Sequence, residues 1–134
     1  MNAVQSHYLD LIVRVIADTI YCDPNMNPRK DPIYQQGFRE EGRDWPAQAH
    51  SMIGLKRLDN VKDLCSRAIE EGIEGDFIET GVWRGGACIL MRSILKAYDV
   101  TDRKVICCDS FDGLPKPNEE AFPFLSHVRV YSPE

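Results

Sequence analysis

One stretch constrains this chain more than any other: Gly75-Asp76-Phe77-Ile78-Glu79-Thr80-Gly81-Val82-Trp83-Arg84-Gly85-Gly86. It starts as a short apolar run, carries an acid at its end and breaks into a glycine turn. A long apolar segment follows at once. A strand that feeds a helix through such a turn is how a parallel α/β sheet offers its first loop to a nucleotide-type cofactor. Gly81 permits the sharp turn, while Gly85 and Gly86 let backbone approach a ligand or pack the helix onto the strand. The spacing is G-x-x-x-G-G, not the G-x-G-x-x-G of dinucleotide folds. Alone it is a weak signal, because many strand-to-helix turns need glycine for packing.

The residues downstream strengthen it. Asp76 to Thr80 is predicted as the first strand and Gly85 to Tyr98 as the helix after the turn. That helix leaves only a narrow polar strip of Arg92, Ser93 and Lys96, as expected beside a parallel sheet. Val105-Ile106-Cys107-Cys108 reads as a second strand, which makes a βαβ unit of Rossmann-like type. Asp109 stands at its carboxyl end, 23 residues beyond Gly86. A carboxylate there can accept from both hydroxyls of a ribose; the plainer reading is a turn-forming aspartate. Further on, Val128 to Tyr131 alternates like a strand.

Upstream, residues 4 to 21 read as a helix. His7, Asp10, Arg14 and Asp18 form one polar stripe, and apolar residues cover the remainder, to be buried in the core or against another subunit. Residues 22 to 46 carry four prolines and read as irregular, an ordered lid or binding loop. Its charged residues suit either a solvated face or a substrate contact. A helical region is expected to open at Asp44 to Pro46 and to run through His50 to Leu55. From Leu58 the helical spacing is strict, and Gly72 stops it. His50 reads as a capping or packing residue rather than a base.

A length of 134 residues suits a single domain, and a net charge of −5 argues against a nucleic-acid or anionic-membrane binder. The chain shows no signal-peptide pattern and no membrane-spanning run, so a cytoplasmic location is expected. Its five cysteines are odd in number, lack a C-x-x-C pair and lie mostly in apolar segments, which predicts buried, reduced thiols. The three histidines, His7, His50 and His127, are too scattered to hold a metal.

Three runs, in order, carry a closer likeness. They are Arg39-Glu40-Glu41-Gly42-Arg43-Asp44-Trp45-Pro46 leading into His50 to Asn60, then Gly75 to Gly86, then Asp109-Ser110-Phe111-Asp112-Gly113-Leu114-Pro115. Together they resemble the macrocin O-methyltransferase family, which methylates sugar hydroxyls in macrolide biosynthesis. The likeness extends to about Pro117. It implies a Rossmann-like class I methyltransferase fold that depends on S-adenosyl-L-methionine, here truncated after the second or third strand. Residues 1–134 would form one partial domain, with a helical and lid region over 1–74 and a βαβ cofactor-binding core over 75–117.

By the same resemblance, Glu79, Thr80, Gly81, Val82 and Trp83 lie against the methionine end of the cofactor and the turn. Asp109 holds the ribose, and Ser110, Phe111, Asp112 and Gly113 flank the adenosine. Ser51 and Met52 cover the cofactor from the preceding segment, and Tyr34 and Trp45 shape the acceptor side. Members of the family require Mg2+, but their metal-binding aspartates and catalytic residues belong to a half that this sequence does not include. No metal ligand and no catalytic residue is therefore assigned. The expected partners are a glycosylated small-molecule acceptor and either a second copy of the chain or a chain that completes it. A non-catalytic module that binds S-adenosylmethionine is the alternative. The glycine spacing argues against a nicotinamide oxidoreductase.

Overall fold

Two strands, β1 (Phe77–Thr80) and β2 (Val105–Cys108), lie side by side and parallel in the computed structural model. It describes residues 1–27, 30–113, 118, 120 and 121. The register pairs Phe77 with Val105, Ile78 with Ile106, Glu79 with Cys107 and Thr80 with Cys108. Parallel neighbours need a crossover, and the twelve-residue helix α4 (Gly86–Ala97) supplies it. The strands and this helix fall within a residue or two of their predicted limits, because each has an unambiguous period and a glycine or polar turn at its ends.

Three helices pack together on the α4 side of the sheet. α1 (Ala3–Ile16) and α3 (Leu55–Glu70) meet α4 around Leu9, Val13, Ile16, Leu58, Leu90 and Ile94, all buried. A smaller cluster of Val82, Cys88 and Met91 joins α4 to Phe77 and Val105 on the facing side of the sheet. The opposite face is uncovered among the described residues, with Ile78 58% and Ile106 43% exposed. This is an α/β unit with one helical layer.

The amino-terminal half departs from expectation in three places. α1 opens with a capping box, in which Gln5 N–H donates to Asn2 Oδ1 and Asn2 N–H donates to Gln5 Oε1. It stops at Ile16 rather than residue 21. Asp18 turns left-handed at φ 48° and its carboxylate accepts from Tyr21 and Asp23 N–H, an alternative to the helix that aspartate offers readily. The irregular segment contains a short helix, α2 (Gln36–Glu41), ended by Gly42 at φ 65°.

The third departure is the larger one. Residues 44–54 form no helix; they run as a strap until Gly54, at φ 83°, starts α3. Gly54 is pressed against Gly42, so closely that a Cβ on either would collide with backbone. Asp44 to Pro46 are committed instead to tertiary bonds, with Pro46 bridged to Asn25 and Trp45 N–H donating to Asn25 Oδ1.

The cysteines also depart from expectation. Cys88 is buried and Cys65 half-buried, but Cys22, Cys107 and Cys108 are exposed, and all five are free thiols. Cys108 lies on the uncovered face of β2, so apolar neighbours in sequence do not bury it. The alternating segment Val128 to Tyr131 lies outside the described residues. No helix among the described residues is long and apolar enough to cross a membrane.

Candidate cofactor site

The carboxyl ends of β1 and β2 open into two loops, which Asp109 ties together. Its Oδ2 accepts from Val82 N–H at 2.6 Å, and its Oδ1 accepts from Phe111 N–H at 3.1 Å. Gly81 N–H donates to the Cys108 carbonyl, which extends the strand pairing into the turn. Donation from Val82, then from Phe111, holds the Asp109 carboxyl below the usual carboxylate range, so it is ionised at neutral pH. Each of its oxygens keeps a further lone pair for a ligand hydroxyl. Phe111 is 62% exposed, and Ser110 Oγ accepts from Asp112 N–H, so the loop after β2 is shaped by local bonds.

The turn after β1 is built for open backbone. Gly81 sits at φ 89°, and a Cβ there would meet nothing within 4 Å. Trp83 takes the left-handed conformation at φ 49°, is 46% exposed and carries the Arg84 guanidinium over its ring at 4.3 Å. Arg84 also donates to the carbonyls of Pro46 and Ala49. It therefore anchors the strap to the turn.

Gly86 completes that junction. Its N–H donates to the His50 carbonyl at 3.0 Å, and a Cβ at this position would lie 2.5 Å from the same oxygen. The glycine thus serves close packing against the strap, not against the strand. His50 itself is exposed, and its backbone does the binding: its N–H donates to Ile16 and its carbonyl accepts from Gly86. Ser51 is buried beside Gly86 and Met52 is half-buried. Of the two residues expected to cover a cofactor, Ser51 stands next to Gly86, on a strap rather than a helix.

Glu79 points elsewhere. It shares its face of the sheet with Phe77, since side chains alternate along a strand, and its Oε2 accepts from the Cys88 thiol at 2.9 Å. Thr80 lies on the uncovered face. Tyr34 and Trp45 belong to the packing of their own loop. Tyr34 lies over the Arg39 guanidinium at 5.2 Å, and the Trp45 carbonyl accepts from Met26 N–H. Half-exposed Trp45 still presents its ring to solvent.

Sequence reasoning missed the group that holds this loop. Arg39, 1% exposed, donates to Asp44 Oδ2 at 2.8 Å, to Asp23 Oδ1 at 2.6 Å and to the Ala17 carbonyl. Asp23 Oδ2 accepts from Gln48 N–H at 2.6 Å and also from Ala49 N–H. Burial works to raise the Asp23 pKa, but the Gln48 N–H and Arg39 outweigh it and hold the carboxyl below its usual range. The loop charges expected to be solvated or substrate-facing are thus, for Arg39, Asp23 and Asp44, an internal clamp. Charged residues in a proline-rich run gave no periodic signal that could reveal it. Arg84, within the glycine motif, was legible but passed over.

Among the described residues no group of three His, Cys, Asp or Glu side chains could hold a metal ion. An open hollow of about 640 Å³ lies away from the turn, between α4 and β2.

A parallel strand–helix–strand unit with a glycine turn after β1 and an acid after β2 defines the class: this is a methyltransferase-type α/β fold. The chain belongs to the macrocin O-methyltransferase family, since the family described as "Macrocin-O-methyltransferase (TylF)" matches residues 5–127. It is 51% identical over 125 residues to the demethyldecarbamoylnovobiocin O-methyltransferase of Streptomyces niveus, covering 90% of this chain and 47% of that protein. It is 44% identical over 126 residues to the mycinamicin III 3''-O-methyltransferase of Micromonospora griseorubida, covering 92% of this chain and 50% of that one. The solved structure of the O-methyltransferase NovP superimposes with a TM-score of 0.80 at 46% identity, over 96% of this chain and 55% of NovP. The chain therefore spans about half the length of the relatives it matches.

Proposed function

We propose that this chain supplies the cofactor-binding part of an S-adenosylmethionine-dependent O-methyltransferase whose acceptor is a sugar hydroxyl of a glycosylated natural product. The observation that carries this reading is the bond from Val82 N–H to Asp109, which joins the glycine turn to an ionised carboxylate. The names of the three relatives, all O-methyltransferases of antibiotic scaffolds, point to the reaction.

The residues fit such a cofactor. Asp109 offers acceptors suited to ribose hydroxyls, and Ser110, Phe111, Asp112 and Gly113 flank it. Space at Gly81 leaves the backbone of Thr80 to Trp83 open to the methionine end, with Ser51 and Met52 alongside. Glu79 would act from behind the turn. When bound, S-adenosylmethionine supplies an activated methyl group for in-line displacement by oxygen. The protein aligns the acceptor and excludes water, a task suited to Tyr34, Trp45 and the clamped loop. A sugar hydroxyl also needs a base or a metal ion. Mg2+ is the expected ion, with no ligand for it assigned in this chain. The reaction then calls for a complementing chain or segment, and the alternative is a module that binds cofactor without turnover.

Calorimetric titration with S-adenosylmethionine and S-adenosylhomocysteine tests the proposal. Saturable binding, lost in Asp109→Ala and unaffected by NAD, is expected. A folded chain that binds neither ligand overturns it.

A further inference from the structure

The same face of the sheet that receives α4 brings together three groups that the cofactor reading does not use as a set. Glu79 and Cys107 are register partners on β1 and β2, so their side chains leave the sheet side by side. α4 lays Cys88 over both. The Cys88 Sγ is 2.9 Å from Glu79 Oε2 and 3.2 Å from Cys107 Sγ. We propose that Cys88 and Cys107 are a redox-modification site, converted by a peroxide into an internal disulfide that links α4 to β2, with Glu79 as the proton acceptor.

Geometry brings this pair close to bonding distance. A disulfide has its sulfurs about 2.05 Å apart, so the two thiols need to close by only about 1.1 Å. Both line the open hollow of about 640 Å³ between α4 and β2, which gives a small oxidant a path from solvent. Cys107 is exposed and Cys88 is 7% exposed, so the first meets the oxidant and the second resolves it. Burial, and then the neighbouring Glu79, push the Cys88 thiol far above its ordinary range, which keeps it a neutral thiol sheltered from direct oxidation. Cys65 is likewise pushed up, to about 11, by burial. Cys108 points to the opposite face from Cys107.

The chemistry balances in two steps. Cys107 sulfur attacks one peroxide oxygen; an S–O bond forms, the O–O bond breaks, and the departing hydroxide takes the Cys107 proton to become water. Cys88 sulfur then attacks the sulfenic sulfur of Cys107. An S–S bond forms and the S–O bond breaks. The Cys88 proton passes to Glu79 Oε2 and on to the leaving hydroxide, which gives a second water. Two thiols have lost two electrons and two protons, and hydrogen peroxide has been reduced to two waters. Disulfide formation of this kind does not depend on whether the chain binds S-adenosylmethionine. It does strip Glu79 of its thiol donor, two residues before Gly81.

The test is peroxide treatment of the dilute, folded chain, alkylation of remaining thiols under denaturing conditions, and peptide mapping by mass spectrometry. A peptide pair joined through Cys88 and Cys107, released by dithiothreitol, is the expected product. Exposed Cys107→Ser should abolish it and leave Cys88 alkylated. A Cys22→Ser/Cys108→Ser variant should form it undiminished, and Glu79→Gln should form it several-fold more slowly. Sulfinic acid at Cys107 without the cross-link, or disulfides confined to Cys22 and Cys108, overturns the proposal.

Discussion

At the scale of single residues, three carboxylates and one arginine decide how the site is held. The Asp109 pKa is depressed by Val82 N–H first and Phe111 N–H next. A depressed carboxylate contributes stability above its unfolded value, about 3.9, and that contribution is lost as pH falls through the lower folded value. Urea unfolding followed from pH 7 down to pH 3 should therefore show stability falling at the acid end. Asp109→Asn should flatten that slope, and an unchanged slope would count against the tie between the loops. Asp23 is depressed as well and has the same sign.

Arg39 is buried between Asp23 and Asp44. Removing one partner of a buried ionic group leaves unpaired charge and costs about 3–5 kcal/mol. Arg39→Met should lower the unfolding free energy by that amount. Arg39→Lys should recover only part of it, because an ammonium cannot bond two carboxylates and a carbonyl in the fork geometry of a guanidinium. Chemical denaturation of the two variants checks both statements.

At the scale of elements, the junction between strap and helix is the sharpest feature. Gly86→Ala puts a methyl against the His50 carbonyl and Ser51 Cβ, both backbone-proximal and unable to swing aside. A cost of about 1–3 kcal/mol follows from such overpacking. Its distinguishing sign is a weakened affinity for S-adenosylmethionine beyond that of a variant equally destabilised at α1, since the strap carries Ser51 and Met52. Calorimetry on the pair separates the two effects.

The elements also show which local signals can be trusted. α3, α4 and both strands were legible because apolar period and glycine punctuation agree there. The end of α1 was not. Ile20 and Tyr21 extend the apolar pattern, yet Asp18 folds the chain back and leaves them 40% and 88% exposed. Nor was the strap legible. Pro46 and the residues after it suit a first helical turn, but Asp23, Arg84 and Gly86 claim their backbone groups for long-range bonds. Partners more than twenty residues away leave no periodic trace.

At the scale of the molecule, β1 has one hydrogen-bonded neighbour among the described residues, and the face bearing Ile78 and Ile106 is open. An unpaired edge beside exposed apolar residues favours association with another strand. Chromatography with light scattering should therefore show concentration-dependent species larger than the 15.3 kDa chain. A single sharp monomer peak with cooperative unfolding would falsify this expectation.

The sequence by itself determined the βαβ unit, the glycine turn, Asp109 and the family, because each rests on short-range chemistry: apolar period, permitted φ and a motif of fixed spacing. Only the tertiary structure decided that Gly86 serves the strap, that Arg39 is a buried clamp, and that Glu79 accepts from the Cys88 thiol. Those outcomes depend on which distant groups compete for each hydrogen bond and which face of a strand receives a helix, and neither is written in local pattern.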